Sequence, residues 1–132
     1  MGPQAADTEL RWDLAKMYRG VDDPAIDADL RDSLARAYKA GVKLAFGTDA
    51  GVFEHGRNAG EFALLVKYGL TPREALASAT TVAAKLLSMD GEIGRIAPGM
   101  SADMIAVSGD PLTDVTTLEK VDWVMARGRI AD

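Results

Sequence analysis

Apolar positions recur at helical spacing up to about residue 40, alternate over one short run, and return to helical spacing as far as about residue 91. Beyond that point short β-type runs are separated by turns. Leu10, Leu14 and Met17, behind Asp7 or Thr8 as caps, predict an amphipathic helix to about Tyr18, with Trp12 off its stripe covering a neighbouring element. A loop from Gly20 leads to Pro24, and Ile26, Leu30, Leu34 and Ala37 predict a second helix that Gly41 ends. Val42, Leu44 and Phe46 then share one face of a predicted strand, with Lys43, Ala45, Gly47 and Asp49 on the other. After a loop through Arg57, Phe62, Leu65 and Val66 mark the buried stripe of a helix closing at Gly69. Thr71-Pro72-Arg73-Glu74 reads as a capping box with proline in the first turn, so a helix starts at Pro72, and Leu76 and Ala79 continue its face. Thr80 or Thr81 caps a further helix through Leu87, and Ser88 to Gly91 form its exit turn. Ile93 to Ile96 and Met104 to Val107 read as β runs, and Val121 to Met125 with Arg129-Ile130 as a hairpin around Gly128.

The 132 residues are 48% hydrophobic and 27% charged, ordinary values for one soluble globular domain. A formal charge of -5 with scattered Lys and Arg gives no concentrated basic face, which argues against nucleic acid and anionic membrane as partners. Zero cysteines exclude disulfides and thiolate metal sites. No apolar run approaches the roughly 20 residues of a membrane span. The first six residues lack the charged and hydrophobic parts of a secretion signal, so the expected location is cytoplasmic, with any targeting signal lost if an amino-terminal portion is missing. Asp22, Asp23, Asp27, Asp29 and Asp32 gather near a helix start, where acidic groups favour the macrodipole and solvation; they read as surface rather than as a metal site.

The chemistry concentrates between Asp49 and Arg57. Asp49 follows the short apolar run, is set among small residues, and precedes the loop that holds the chain's only histidine, His55. Thr-Asp-Ala-Gly is a good turn, since an aspartate bonds its own downstream backbone. A carboxylate at the end of a strand can also coordinate a cation and accept a proton from a metal-bound water. An imidazole both donates and accepts hydrogen bonds, which suits His55 to a role orienting substrate or the loop better than to metal ligation. Arg57 is a candidate for a substrate carboxylate, and Asn58 for the cap of the following helix.

Phe46-Gly47-Thr48-Asp49-Ala50-Gly51, His55-Gly56, Asn58-Ala59, Gly69-Leu70-Thr71-Pro72-Arg73-Glu74-Ala75-Leu76, Gly94 to Gly99 and Ala102-Asp103-Met104, in this order, resemble the carboxyl-terminal third of the metal-dependent amidohydrolase superfamily. The resemblance runs over residues 24 to 131 and is nearest to imidazolonepropionase-like and Xaa-Pro dipeptidase (prolidase-like) members. It implies an α/β fold: residues 1–91 as the end of a partial TIM-type (β/α)8 barrel, its last strand and helices, and residues 92–132 as strands of a small β-sandwich domain. A whole barrel needs about 250 residues, so this chain would hold only its end. It further implies that Asp49 is both a metal ligand and the base that activates water, passing the proton to the leaving nitrogen. His55 and Arg57 would bind substrate, and Asp103 and Asp110 would be structural.

The implied reaction is hydrolysis of an amide or other C–N bond in a dipeptide or cyclic amide, with a divalent metal, zinc, as cofactor of the full-length enzyme. Family metal histidines come from earlier strands, including a His-X-His pair that this chain lacks. One credible ligand falls short of the three or so a catalytic ion needs. The expectation is therefore an inactive fragment that binds no metal tightly alone, with the missing amino-terminal barrel segment or an oligomer partner completing it. The rival readings are a non-catalytic binding or assembly module and one half of a complemented split hydrolase.

Overall fold

A computed structural model describes residues 23–49, 51 and 55–131. The helix expected over Asp7 to Tyr18, with Trp12, and the carboxylate Asp22 lie outside them.

The first described helix, α1, runs Pro24–Lys39. Its start follows local chemistry: the Asp23 carboxylate accepts from the Ala25 N–H at 3.0 Å, and proline occupies the first turn. Ala40 caps its end and Gly41, at φ 77°, turns the chain away. No residue of α1 is buried; Ile26, Leu34 and Ala37 are half-buried and Leu30 is 59% exposed. Asp27 points outward as expected, where it accepts from the Tyr68 hydroxyl and pairs with Lys67 Nζ at 3.3 Å. These contacts, the Tyr68 bond foremost, hold its carboxyl below the ordinary aspartate range.

From Val42 to Asp49 the backbone departs from the strand that alternation predicts, because it carries no ladder among the described residues. The alternation itself persists in burial. Leu44, Phe46 and Thr48 are half-buried while Lys43, Ala45, Gly47 and Asp49 face outward; Val42, 53% exposed, breaks the pattern. A strand needs neighbours to satisfy its peptide groups, and here the Phe46 N–H reaches the Ser78 carbonyl at 3.0 Å instead. The Phe46 ring stacks on Phe62, centroids 4.4 Å apart.

Three helices follow: α2 Gly60–Lys67, α3 Pro72–Ala79 and α4 Thr81–Leu86. At α3 the full capping box forms. The Glu74 N–H donates to Thr71 Oγ1 at 3.3 Å, and Glu74 Oε2 accepts from the Thr71 N–H at 2.9 Å. Thr80 does not cap α4. Its hydroxyl donates back to the Leu76 carbonyl at 2.8 Å, since Thr80 is the single residue between α3 and α4 and still lies over the last turn of α3.

The tail forms a three-stranded antiparallel sheet in the order β1-β2-β3, with β1 Met104–Val107, β2 Val121–Ala126 and β3 Arg129–Ile130. The expected hairpin closes through Arg127 and Gly128 at φ 50° and 75°, the two positive values a two-residue turn with the sheet's twist requires. The Arg127 N–H donates to Asp103 at 2.7 Å, and Asp110 accepts from the Leu112 N–H at 2.9 Å, so both carboxylates are structural. Ile93 to Ile96 is not a strand; it bends past α4, leaving Ile96 84% exposed. A 3-10 helix at Val115–Glu119 buries Val115 and Leu118 against α2, a link absent from the sequence reading. No described helix is long and apolar enough to cross a membrane.

Candidate active site

The candidate residues sit on the link between the extended run and α2. Its beginning is fixed by the Phe46–Ser78 backbone bond and the Phe46–Phe62 stack. Its end is wound by short-range bonds into α2, Gly60 to Arg57, Glu61 to Asn58 and Phe62 to Ala59, at 3.1 to 3.2 Å. One side-chain bond spans the two ends: Asn58 Nδ2 donates to Thr48 Oγ1 at 2.8 Å, and both residues are half-buried.

Asn58 therefore does not cap α2, as its position suggested. Ala59, whose methyl offers no acceptor, stands at the N-cap, and the Asn58 amide one residue earlier is turned toward Thr48. Asp49, next to that bond, is exposed and adopts φ 50°. Side chains other than glycine seldom take this left-handed conformation, Asp and Asn being the usual exceptions. His55 and Arg57 are exposed on the same link.

Arg57 lines a concavity of about 380 Å³ with Gly56, Ala59, Gly60 and Glu119. Sequence reasoning had not singled out Glu119; its proximity depends on the 3-10 helix docking against α2, which no local pattern announces. Two further concavities lie elsewhere. One of about 160 Å³ lies between the end of α1 and α3, lined by Tyr38, Lys43 and Glu74 among others. The other, about 520 Å³, separates α4 from β1 and is lined by Leu87, Ile96 and Ile105 among others. Asp49 lines none of these three.

The strongest electrostatic effect belongs to Glu74, away from Asp49. Bonds from the Thr71 hydroxyl, the Tyr38 hydroxyl and the Thr71 N–H lower its pKa from 4.5 to about 2. That carboxylate is fully engaged in holding α3 to α1. Among the described residues no group of three or more His, Cys, Asp or Glu could hold a metal ion. Asp49 offers one hard oxygen donor where a catalytic ion takes about three protein ligands. The described residues do not fit a resident metal by themselves.

Comparison with known proteins identifies the class. The sequence matches the amidohydrolase family over residues 20–131, and the chain belongs to that family. Among solved structures it is similar to a Xaa-Pro dipeptidase with methionine bound in the active site: 45% identity and a TM-score of 0.75 over 77% of this chain and 25% of that one. A prolidase complexed with N-methylphosphonate-L-proline matches at 38% identity and a TM-score of 0.70, over 77% of this chain and 26% of the other. Among curated proteins, an uncharacterized protein of Mycobacterium tuberculosis is 39% identical over 114 residues, 80% of this chain and 30% of that protein. An imidazolonepropionase of Hahella chejuensis is 53% identical over 38 residues, 29% of this chain and 9% of the enzyme. The chain thus spans between a quarter and a third of the first three relatives.

Proposed function

We propose that this chain is the carboxyl-terminal portion of a metal-dependent amidohydrolase that cleaves Xaa-Pro dipeptides, with Asp49 as its catalytic carboxylate. The observation that carries the proposal is the persistence of alternation without a ladder: Lys43, Ala45 and Gly47 are exposed along one side of an extended run that has no sheet partner among the described residues, and the run ends at the left-handed Asp49. That is the pattern of the last strand of a (β/α)8 barrel whose other strands lie outside the chain, with Asp49 at the carboxyl-terminal mouth where such barrels place their active sites. In this reading residues 1–91 belong to the barrel and residues 92–132 to a small β-sandwich. The identity and TM-score against the two proline-dipeptide relatives support the substrate class.

Asp49 has two duties. Its carboxylate would be one ligand of a divalent ion, zinc, with the remaining ligands supplied by other segments. It also receives the proton of the attacking water and delivers it to the leaving proline nitrogen, as a general base and then acid. Arg57, beside its concavity, takes the substrate carboxylate in a bidentate contact, and His55 orients the bound dipeptide. When bound, the ion would supply Lewis-acid polarisation of the amide carbonyl. The partners are the dipeptide and the segment that carries the other strands, with neither nucleic acid nor membrane, and the compartment is the cytoplasm.

Exposed apolar side chains favour a related second reading, in which that segment is a separate chain and the two form a split hydrolase. Leu30, Leu86, Leu87 and Ile96, between 59% and 84% exposed, would be covered by such a partner. Mixing the chain with the separately expressed amino-terminal part of the Xaa-Pro dipeptidase relative tests both readings. Proline release should occur only in the mixture and fall by about 10³-fold or more with Asp49→Asn, the scale of losing a group that acts in the transition state. Proline release by the mixture that Asp49→Asn leaves unchanged would overturn the assignment.

A further inference from the structure

Asp49 is exposed and left-handed, so something other than burial must hold it. The adjacent Thr48 is half-buried, and its hydroxyl is gripped by the half-buried amide of Asn58 at 2.8 Å. The amide sits one residue before Ala59, the N-cap of α2, and α2 goes without a side-chain cap. The backbone on either side is separately anchored by the Phe46–Ser78 bond, the Phe46–Phe62 stack and the first turn of α2. The Thr48–Asn58 bond is thus not needed to keep the two ends together. What it adds is a fixed orientation of the Thr48 peptide, and with it the direction in which the next residue leaves.

We propose that Asn58, acting through Thr48, is the positioning residue for Asp49. The inference rests on the catalytic role given to Asp49 above, but the juxtaposition is independent of it. Thr48 is held by its side chain from one side, so the left-handed turn at Asp49 is selected over the extended alternative, which an aspartate would otherwise favour. A carboxylate displaced by even an ångström from a reacting centre loses about 10²-fold in rate.

The test separates geometry from activity. In the 132-residue chain, the one-bond Cα–Hα coupling of Asp49, measured by NMR, reports whether φ is positive. The left-handed value should be present in the unmodified chain and in Thr48→Ser, which keeps the hydroxyl, and lost in Thr48→Val and Asn58→Ala. In the mixture with the complementing segment, the latter two variants should lower kcat about 10²-fold with KM unchanged, and the double variant should be no worse than either alone. Retention of the left-handed coupling in Thr48→Val and Asn58→Ala would overturn the inference, as would full kcat in those variants where Asp49→Asn is inactive. Full activity in Asp49→Asn would instead defeat the catalytic role, while the coupling measurement would still decide whether Asn58 positions Asp49.

Discussion

Asp49 and Gly94 show how single residues carry different kinds of constraint. At Asp49 an uncommon backbone conformation falls on a residue type that visits it, on an exposed link beside the Asn58–Thr48 bond. At Gly94, φ is 91° and a Cβ would stand 2.8 Å from the Ala84 methyl and 2.9 Å from the Thr80 carbonyl oxygen, so glycine is required on both backbone and steric grounds. Gly94→Ala should therefore destabilise the chain by about 3 kcal/mol, combining overpacking against buried Ala84 with a strained φ. Urea unfolding followed by circular dichroism would show it; a midpoint unchanged from the unmodified chain would contradict the close packing of this bend on α4. The sequence reading set this glycine inside a β run, and its partner across the gap was not visible, since Ala84 comes near only once α4 has formed.

Among the elements, α3 is the most fully specified by local chemistry. Thr71, Pro72 and Glu74 are each in the place that capping requires, and the sequence shows all three. Thr71→Ala should cost about 1 kcal/mol, read from a urea midpoint. Because the Glu74 pKa is depressed from 4.5 to about 2, its contribution to stability is whole above pH 4.5 and is lost as pH falls toward 2. Glu74→Gln should flatten the decline of the urea midpoint in that window relative to the unmodified chain, leaving the part that other depressed carboxylates such as Asp103 and Asp114 contribute. An equally steep decline in the variant would contradict the capping account. The hairpin around Gly128 and the helix from Pro24 were legible for the same reason, since their signals lie within a few residues of the structure they make. Asn58 and Ile93 to Ile96 were misread because local pattern competes there with tertiary partners, and the Val42 to Phe46 run forms no ladder among the described residues. A ladder needs other strands, and an amide takes the acceptor that the folded chain presents. The 3-10 helix at Val115–Glu119 carries no periodic apolar signal at its length, and Glu119 was missed with it.

At the scale of the molecule, the described residues bury few large apolar groups. Leu70, Val115 and Leu118 are buried with the small Ala75 and Ala84, whereas Leu86, Ile96, Ile105 and Ile130 are more than half exposed. A domain that must offset its chain entropy by apolar burial ordinarily hides such residues. The apolar stripes that sequence periodicity identified as core faces are only half-covered, as with Leu30 and Leu34 of α1. The positions that would be inside were thus legible, but the surfaces that would cover them are not encoded among the described residues. The same incompleteness governs the site, where Asp49 stands as one oxygen donor and no metal-holding group forms among the described residues. In the proposed reading the catalytic pocket is divided between this chain and a complementing segment. Calorimetric titration of zinc into the purified chain, the segment and their mixture tests it most directly. The expected result is no stoichiometric uptake by the chain alone and one-to-one or two-to-one uptake by the mixture, weakened by Asp49→Asn. Tight stoichiometric uptake by the chain alone, abolished by the same substitution, would contradict it.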